Sequence, residues 1–102
     1  MTRGYRVSDE AKSDLDDIWL YIARRNPTAA DAVIDACFEE FEDLSSKPGL
    51  GHQRPDTPGD CRSWVVPRFQ NYVIVYRAGD EGPLEIARVL HGYLDFPEKF
   101  KP

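Results

Sequence analysis

Apolar residues at Ala11, Leu15, Ile18, Trp19 and Ile22 recur at spacings of 4, 3, 1 and 3. That rhythm is one face of an amphipathic helix. Ser8 stands in front as an N-cap, and Asp9 and Glu10 suit the positive end of the first turn. Asn26-Pro27 interrupts the pattern, because proline disfavours helix at the preceding residue and suits the first turn of the next. A second stripe, Ala30, Val33, Ile34, Cys37, Phe41 and Leu44, predicts a helix over 27–46, with Asp35, Glu39, Glu40, Glu42 and Asp43 on its polar side. So short a connection makes the pair an antiparallel hairpin.

Elsewhere the period changes from helical to alternating. Tyr5-Arg6-Val7 is a short first strand. After the stop at Lys47-Pro48-Gly49, residues 51–60 are rich in proline and glycine and predict a loop. Strands are expected over 62–66, 69–77 and 84–91, the last two joined by a hairpin at 80–82. Tyr72, Ile74 and Tyr76 share one face of the middle strand and Val73 and Val75 the other, so that strand is central and covered on both sides. One helix hairpin covers one face. The chain's tail, a second copy or a partner is expected on the other, since exposed apolar surface marks a binding site. The predicted fold class is α+β, with an N-terminal strand and a helix hairpin packed on a twisted antiparallel sheet. The expected helix-side core is Leu15, Ile18, Trp19, Ile22, Val33, Ile34, Cys37, Phe41 and Leu44.

Composition adds bounds. The 102 residues predict a single domain over 1–102, and 41% hydrophobic content excludes simple disorder. No apolar run approaches a membrane span and no signal peptide is recognisable, so a cytoplasmic protein with no membrane partner is expected. The net charge of −5 opposes general or direct sequence-specific nucleic-acid binding. That charge is uneven. Residues 1–50 carry six Lys and Arg against eleven Asp and Glu, and residues 51–102 carry seven of each. The stretch 61–79 holds three arginines and no acid, so an anionic partner is expected there. Two cysteines without ligand spacing predict neither a disulfide scaffold nor a metal site.

No phosphate loop, nucleophile elbow or zinc-protease helix is present. No cofactor is expected. His91 and Tyr93, at the end of the last strand, form with Arg62, Arg68 and Arg77 a set able to bind phosphate and move a proton. Arg88 lies in the apolar run Ile86-Ala87-Arg88-Val89-Leu90, so a buried ion pair is expected with Asp14 or Asp95.

Five segments in order narrow the reading: Ala11-x-x-Asp14-Leu15-x-x-Ile18-x-x-Tyr21-Ile22; Pro48-x-Leu50-Gly51-x-x-Arg54-Pro55; Arg62-Ser63-Trp64-x-Val66-x-x-Phe69; Tyr72-x-Ile74-x-Tyr76-Arg77; and Ile86-x-Arg88-Val89-Leu90-His91-Gly92. Across about residues 5–95 the chain resembles the ParE branch of the RelE/ParE toxins of bacterial type II toxin–antitoxin pairs. The RelE branch cleaves mRNA in the ribosome, whereas the ParE branch inhibits DNA gyrase. RelE-type nucleases carry arginine at the position of Val73, and a second catalytic arginine near Gly92. The lysines common in that branch are also missing, since no lysine lies between Lys47 and Lys99. Without such cations the charge that builds on a cleaving phosphodiester is not readily stabilised.

The resemblance therefore implies a gyrase inhibitor with no catalytic residue, neutralised by a ParD-like or similar antitoxin. Target contacts are expected at Arg62, Arg68, Arg77, Tyr93, Phe96 and Phe100, with Lys101 beside them. The alternatives are a ribosome-dependent nuclease using His91, Arg62, Arg77 and Tyr93, or a non-toxic binding domain of the same shape. The antitoxin segment is expected to order on an apolar groove of the hairpin and second sheet face, carrying some Lys or Arg to match the acidic helix faces.

Overall fold

In the computed structural model the described residues are 4–55, 57, 59–79 and 82–92. The chain runs β1 (Tyr5–Val7), α1 (Asp9–Ala23), α2 (Pro27–Ser46), a 3-10 turn (Pro48–Leu50), β2 (His52–Arg54), β3 (Cys61–Val65), β4 (Tyr72–Arg77) and β5 (Leu84–His91). The strands form one sheet in the order β1-β5-β4-β3-β2.

Local chemistry sets the helix starts. The Ser8 hydroxyl accepts from the Ala11 N–H at 3.0 Å and donates to the Ala87 carbonyl at 2.8 Å, so one side chain starts α1 and ties it to β5. Asn26 caps α2 by accepting from the Ala29 N–H at 3.0 Å, with Pro27 in the first turn. The hairpin buries Ala11 and Leu15 from α1 and Ala30, Val33, Ala36, Cys37, Phe41 and Leu44 from α2. They meet Tyr5, Ile74, Tyr76, Ile86 and Val89 of the sheet in the main core. Phe41 lies edge-on to Tyr5 at 5.5 Å and to Phe38 at 5.1 Å, geometries that suit the ring quadrupoles.

The observed sheet differs from the expected one in three ways. It is mixed, because β1 pairs parallel with β5 through Tyr5↔Leu84, Arg6↔Glu85 and Val7↔Ile86. The helices and the intervening strands return the chain in the same direction, as a parallel pair requires. Residues 52–54, inside the expected loop, form the edge strand β2 against β3. That strand is exposed at all three positions, so it carries no apolar alternation to reveal it. Lastly, β4 begins at Tyr72 rather than at 69, while the second sheet face is covered as expected: Cys61, Val75 and Leu90 form a separate cluster and are 2%, 0% and 1% exposed. At its Cys61 end the Thr57 hydroxyl accepts from the Cys61 N–H and donates to the Arg54 carbonyl, folding the loop over the strand.

Candidate functional site: the outer face of the helix hairpin

Two polar locks hold the core. Asp14, on α1, accepts from Arg88 Nε and Nη2, both at 2.7 Å, and from the Val89 N–H at 3.0 Å. Strand β1 covers β5 only from Leu84 to Ile86, so the Asp14 carboxylate stands where a ladder partner would otherwise be for Val89. Both side chains are largely buried. Asp95, the other candidate partner, lies outside the described residues. In the second lock Tyr76 donates to the Pro48 carbonyl at 2.7 Å and accepts from the Gly51 N–H at 2.8 Å. A Cβ on Gly51 would lie 2.6 Å from the Tyr76 hydroxyl oxygen and 2.8 Å from the Ser63 carbonyl, so only glycine fits. Burial pushes the Tyr76 phenol up.

The arginines expected to meet a partner are mostly engaged within the chain. Arg62 donates to the Gly51 carbonyl at 2.8 Å. Arg77 and Arg6 converge on Glu85 from the two neighbouring strands, and these bonds hold its carboxyl below the usual carboxylate range, Arg6 contributing most. Arg68 is exposed, over the Phe69 ring at 5.8 Å and 3.8 Å from Glu39. His91 packs edge-on to Tyr72 at 5.9 Å, at the opposite end of β4 from Arg77. Five residues of strand put those ends about 17 Å apart. The described residues therefore do not bring His91, Arg62, Arg68 and Arg77 into one cluster. Tyr93, Phe96, Phe100 and Lys101 lie outside the described residues. Among the described residues, no group of three His, Cys, Asp or Glu side chains is placed to hold a metal. Burial, with the charge of Glu40 second, pushes the Cys37 thiol up to about 12, which leaves it protonated and unreactive.

Open apolar surface lies instead on α1. Trp19, Leu20 and Tyr21 are 37%, 56% and 74% exposed, three of the five exposed large hydrophobics among the described residues. Trp19 was expected in the core. Its indole N–H donates to Asp31 on α2 at 2.8 Å, which holds the ring at the rim of the hairpin. Beside it an open groove of about 400 Å³ runs between the helices, lined by Lys12, Leu15, Asp16, Trp19, Ile34 and Phe38. A second recess of about 310 Å³ sits at the hairpin tip, lined by Tyr21, Ile22, Arg24, Arg25 and Asn26. An apolar run rimmed by polar side chains is the composition of a protein-binding surface. A groove on the hairpin was expected from the sequence, but its rim residues were not, because a helical stripe does not say where the buried face ends and the rim begins.

Comparison with known proteins follows this geometry. A family model described as the ParE toxin of type II toxin-antitoxin system, parDE, matches residues 5–96. Toxin ParE1 of Caulobacter vibrioides is 33% identical over 90 residues, covering 85% of this chain and 86% of that protein. The solved structure of a chromosomal ParDE TA system from P. aeruginosa superposes with a TM-score of 0.70 at 22% identity, over 87% of this chain and 95% of that one. That last likeness is one of fold.

Proposed function

The chain belongs to the ParE toxins of type II toxin–antitoxin systems, and on that premise we propose that a cognate, ParD-like antitoxin holds it inactive and that it acts in the cytoplasm by inhibiting DNA gyrase. The open run Trp19, Leu20 and Tyr21 beside the interhelical groove carries the antitoxin half of this reading. An antitoxin segment that orders on binding would lay its apolar side there, between two helices whose cores are already satisfied. No helix of the described residues is long and apolar enough to cross a membrane.

The gyrase half is supported by what occupies the positions where RelE-type nucleases carry arginine. Val73 is 9% exposed, and a Cβ built on Gly92 would lie 3.1 Å from its Cγ2. The two positions are thus neighbours, and together they make a tight apolar seam with no cation to stabilise a cleaving phosphate. Inhibition by binding needs no such group. Its energy would come from a few aromatic and arginine contacts.

The test incubates the purified protein with gyrase, ATP and relaxed plasmid, and separately with ribosomes and mRNA. Loss of supercoiling with intact mRNA is the expected result. Codon-specific mRNA cleavage with supercoiling untouched would replace the gyrase reading with the nuclease one.

A further inference from the structure

The charged groups of the two halves of the chain are used differently. In the second half, Arg62 and Arg88 are half-buried on the Gly51 carbonyl and Asp14, and Arg77 is exposed but held by Glu85. On the hairpin, Arg24 and Arg25 are exposed, and no ion pair among the described residues engages either. The available guanidinium pair stands at the end of α1, in the half with the greater excess of acid.

Tyr21 lies in the last turn of α1, Arg24 is the C-cap in helical conformation and Arg25 follows it. They line the recess of about 310 Å³ together with Ile22 and Asn26. Tyrosine and arginine are among the side chains that dominate binding energy at protein interfaces, and Tyr21 follows the exposed Trp19 and Leu20 along α1. We infer that the hairpin tip, Tyr21 with Arg24 and Arg25, is a docking site for an acidic, partly apolar protein segment. Resting on the antitoxin reading above, the inference assigns the acidic part of the bound antitoxin segment to this tip.

Charge selects a protein segment over a nucleic acid. Only a short stretch of surface is basic, because the exposed side of α2 carries Asp35, Glu39, Glu42 and Asp43. A nucleic acid, with a phosphate at every step, would meet those carboxylates as soon as it left the tip. A peptide segment can place two carboxylates on the guanidiniums and apolar or basic residues beyond them. The tip thereby gives the groove a direction, because a segment docked in reverse would bring its basic part to Arg24 and Arg25.

The experiment measures association and dissociation of the full chain with the antitoxin encoded by the neighbouring reading frame. The variants are R24E/R25E, R24K/R25K and Y21A, each checked for an unchanged melting temperature. R24E/R25E is expected to slow association about tenfold with little change in dissociation, as exposed charges at an interface rim do. R24K/R25K should recover most of the rate, and Y21A should speed dissociation instead. Wild-type association should slow with added salt, and R24E/R25E should lose that dependence. If the wild type binds and R24E/R25E associates at the same rate, the tip assignment is wrong and the antitoxin reading stands. If the wild type binds no antitoxin, both fall. A single-stranded oligonucleotide is run in parallel. Oligonucleotide binding abolished by R24E/R25E, with antitoxin kinetics unchanged, would give the tip to nucleic acid and overturn the inference.

Discussion

Two regions of this molecule use the same residue types to opposite ends. At the α1–β5 junction an aspartate and an arginine close on one another and on a strand-edge amide. Between one and two turns further along the same helix Trp19, Leu20 and Tyr21 are exposed, and Arg24 and Arg25 are exposed just past its end. Asp14 and Arg88 are recognisable in sequence because the fold needs them at fixed positions. Of the outward residues, only Tyr21 belongs to the segments that carry the family resemblance. The segments that mark this family are thus mostly a description of its scaffold.

This contrast makes removal of Asp14 the largest expected effect. Asp14→Ala removes the carboxylate that accepts from Arg88 and from the Val89 N–H in a largely buried site, which should cost about 3–5 kcal/mol. Leu20→Ala, on the open face, should change stability by no more than about 0.5 kcal/mol. Urea unfolding of both variants checks the difference. Equal losses would mean that the two regions are not distinct.

Tyr76→Phe comes next. It leaves the Gly51 N–H and the Pro48 carbonyl without their shared hydroxyl, and should cost about 1–3 kcal/mol. The same denaturation series reads it, and a neutral result would show that water replaces the hydroxyl.

The smallest effect belongs to the row Arg6, Glu85, Arg77 at the far end of the sheet. Glu85 has a folded-state pKa below its ordinary value of 4.5, chiefly through Arg6. Its contribution to stability is therefore present above about pH 4.5 and is lost as pH falls through the lower folded value. Arg6→Gln should flatten that part of the stability curve between neutral and acid pH. An unchanged acid slope would remove the row from the account.

The helices could be read closely from the chain, because caps and an apolar stripe are local signals: Ser8 and Asn26 begin α1 and α2 as expected. Strand β2 could not, since His52, Gln53 and Arg54 owe their extended form to pairing with β3 alone. The direction of β1 is likewise a property of its neighbour. The candidate surface was the least readable part. Charge counted along the chain places cations at 61–79, but folding engages Arg62 with the Gly51 carbonyl and Arg77 with Glu85, and leaves Arg24 and Arg25 outside any ion pair among the described residues. Trp19 sits in the helical stripe, yet its bond to Asp31 keeps it at the rim.

Hydrogen–deuterium exchange of the chain, free and bound to its antitoxin, tests the division between scaffold and surface most directly. The account predicts that binding slows exchange along α1, strongest over residues 16–25, while the β4–β5 ladder, already buried in the free chain, changes little. Protection confined to the sheet strands, with α1 exchanging as it does alone, would contradict it.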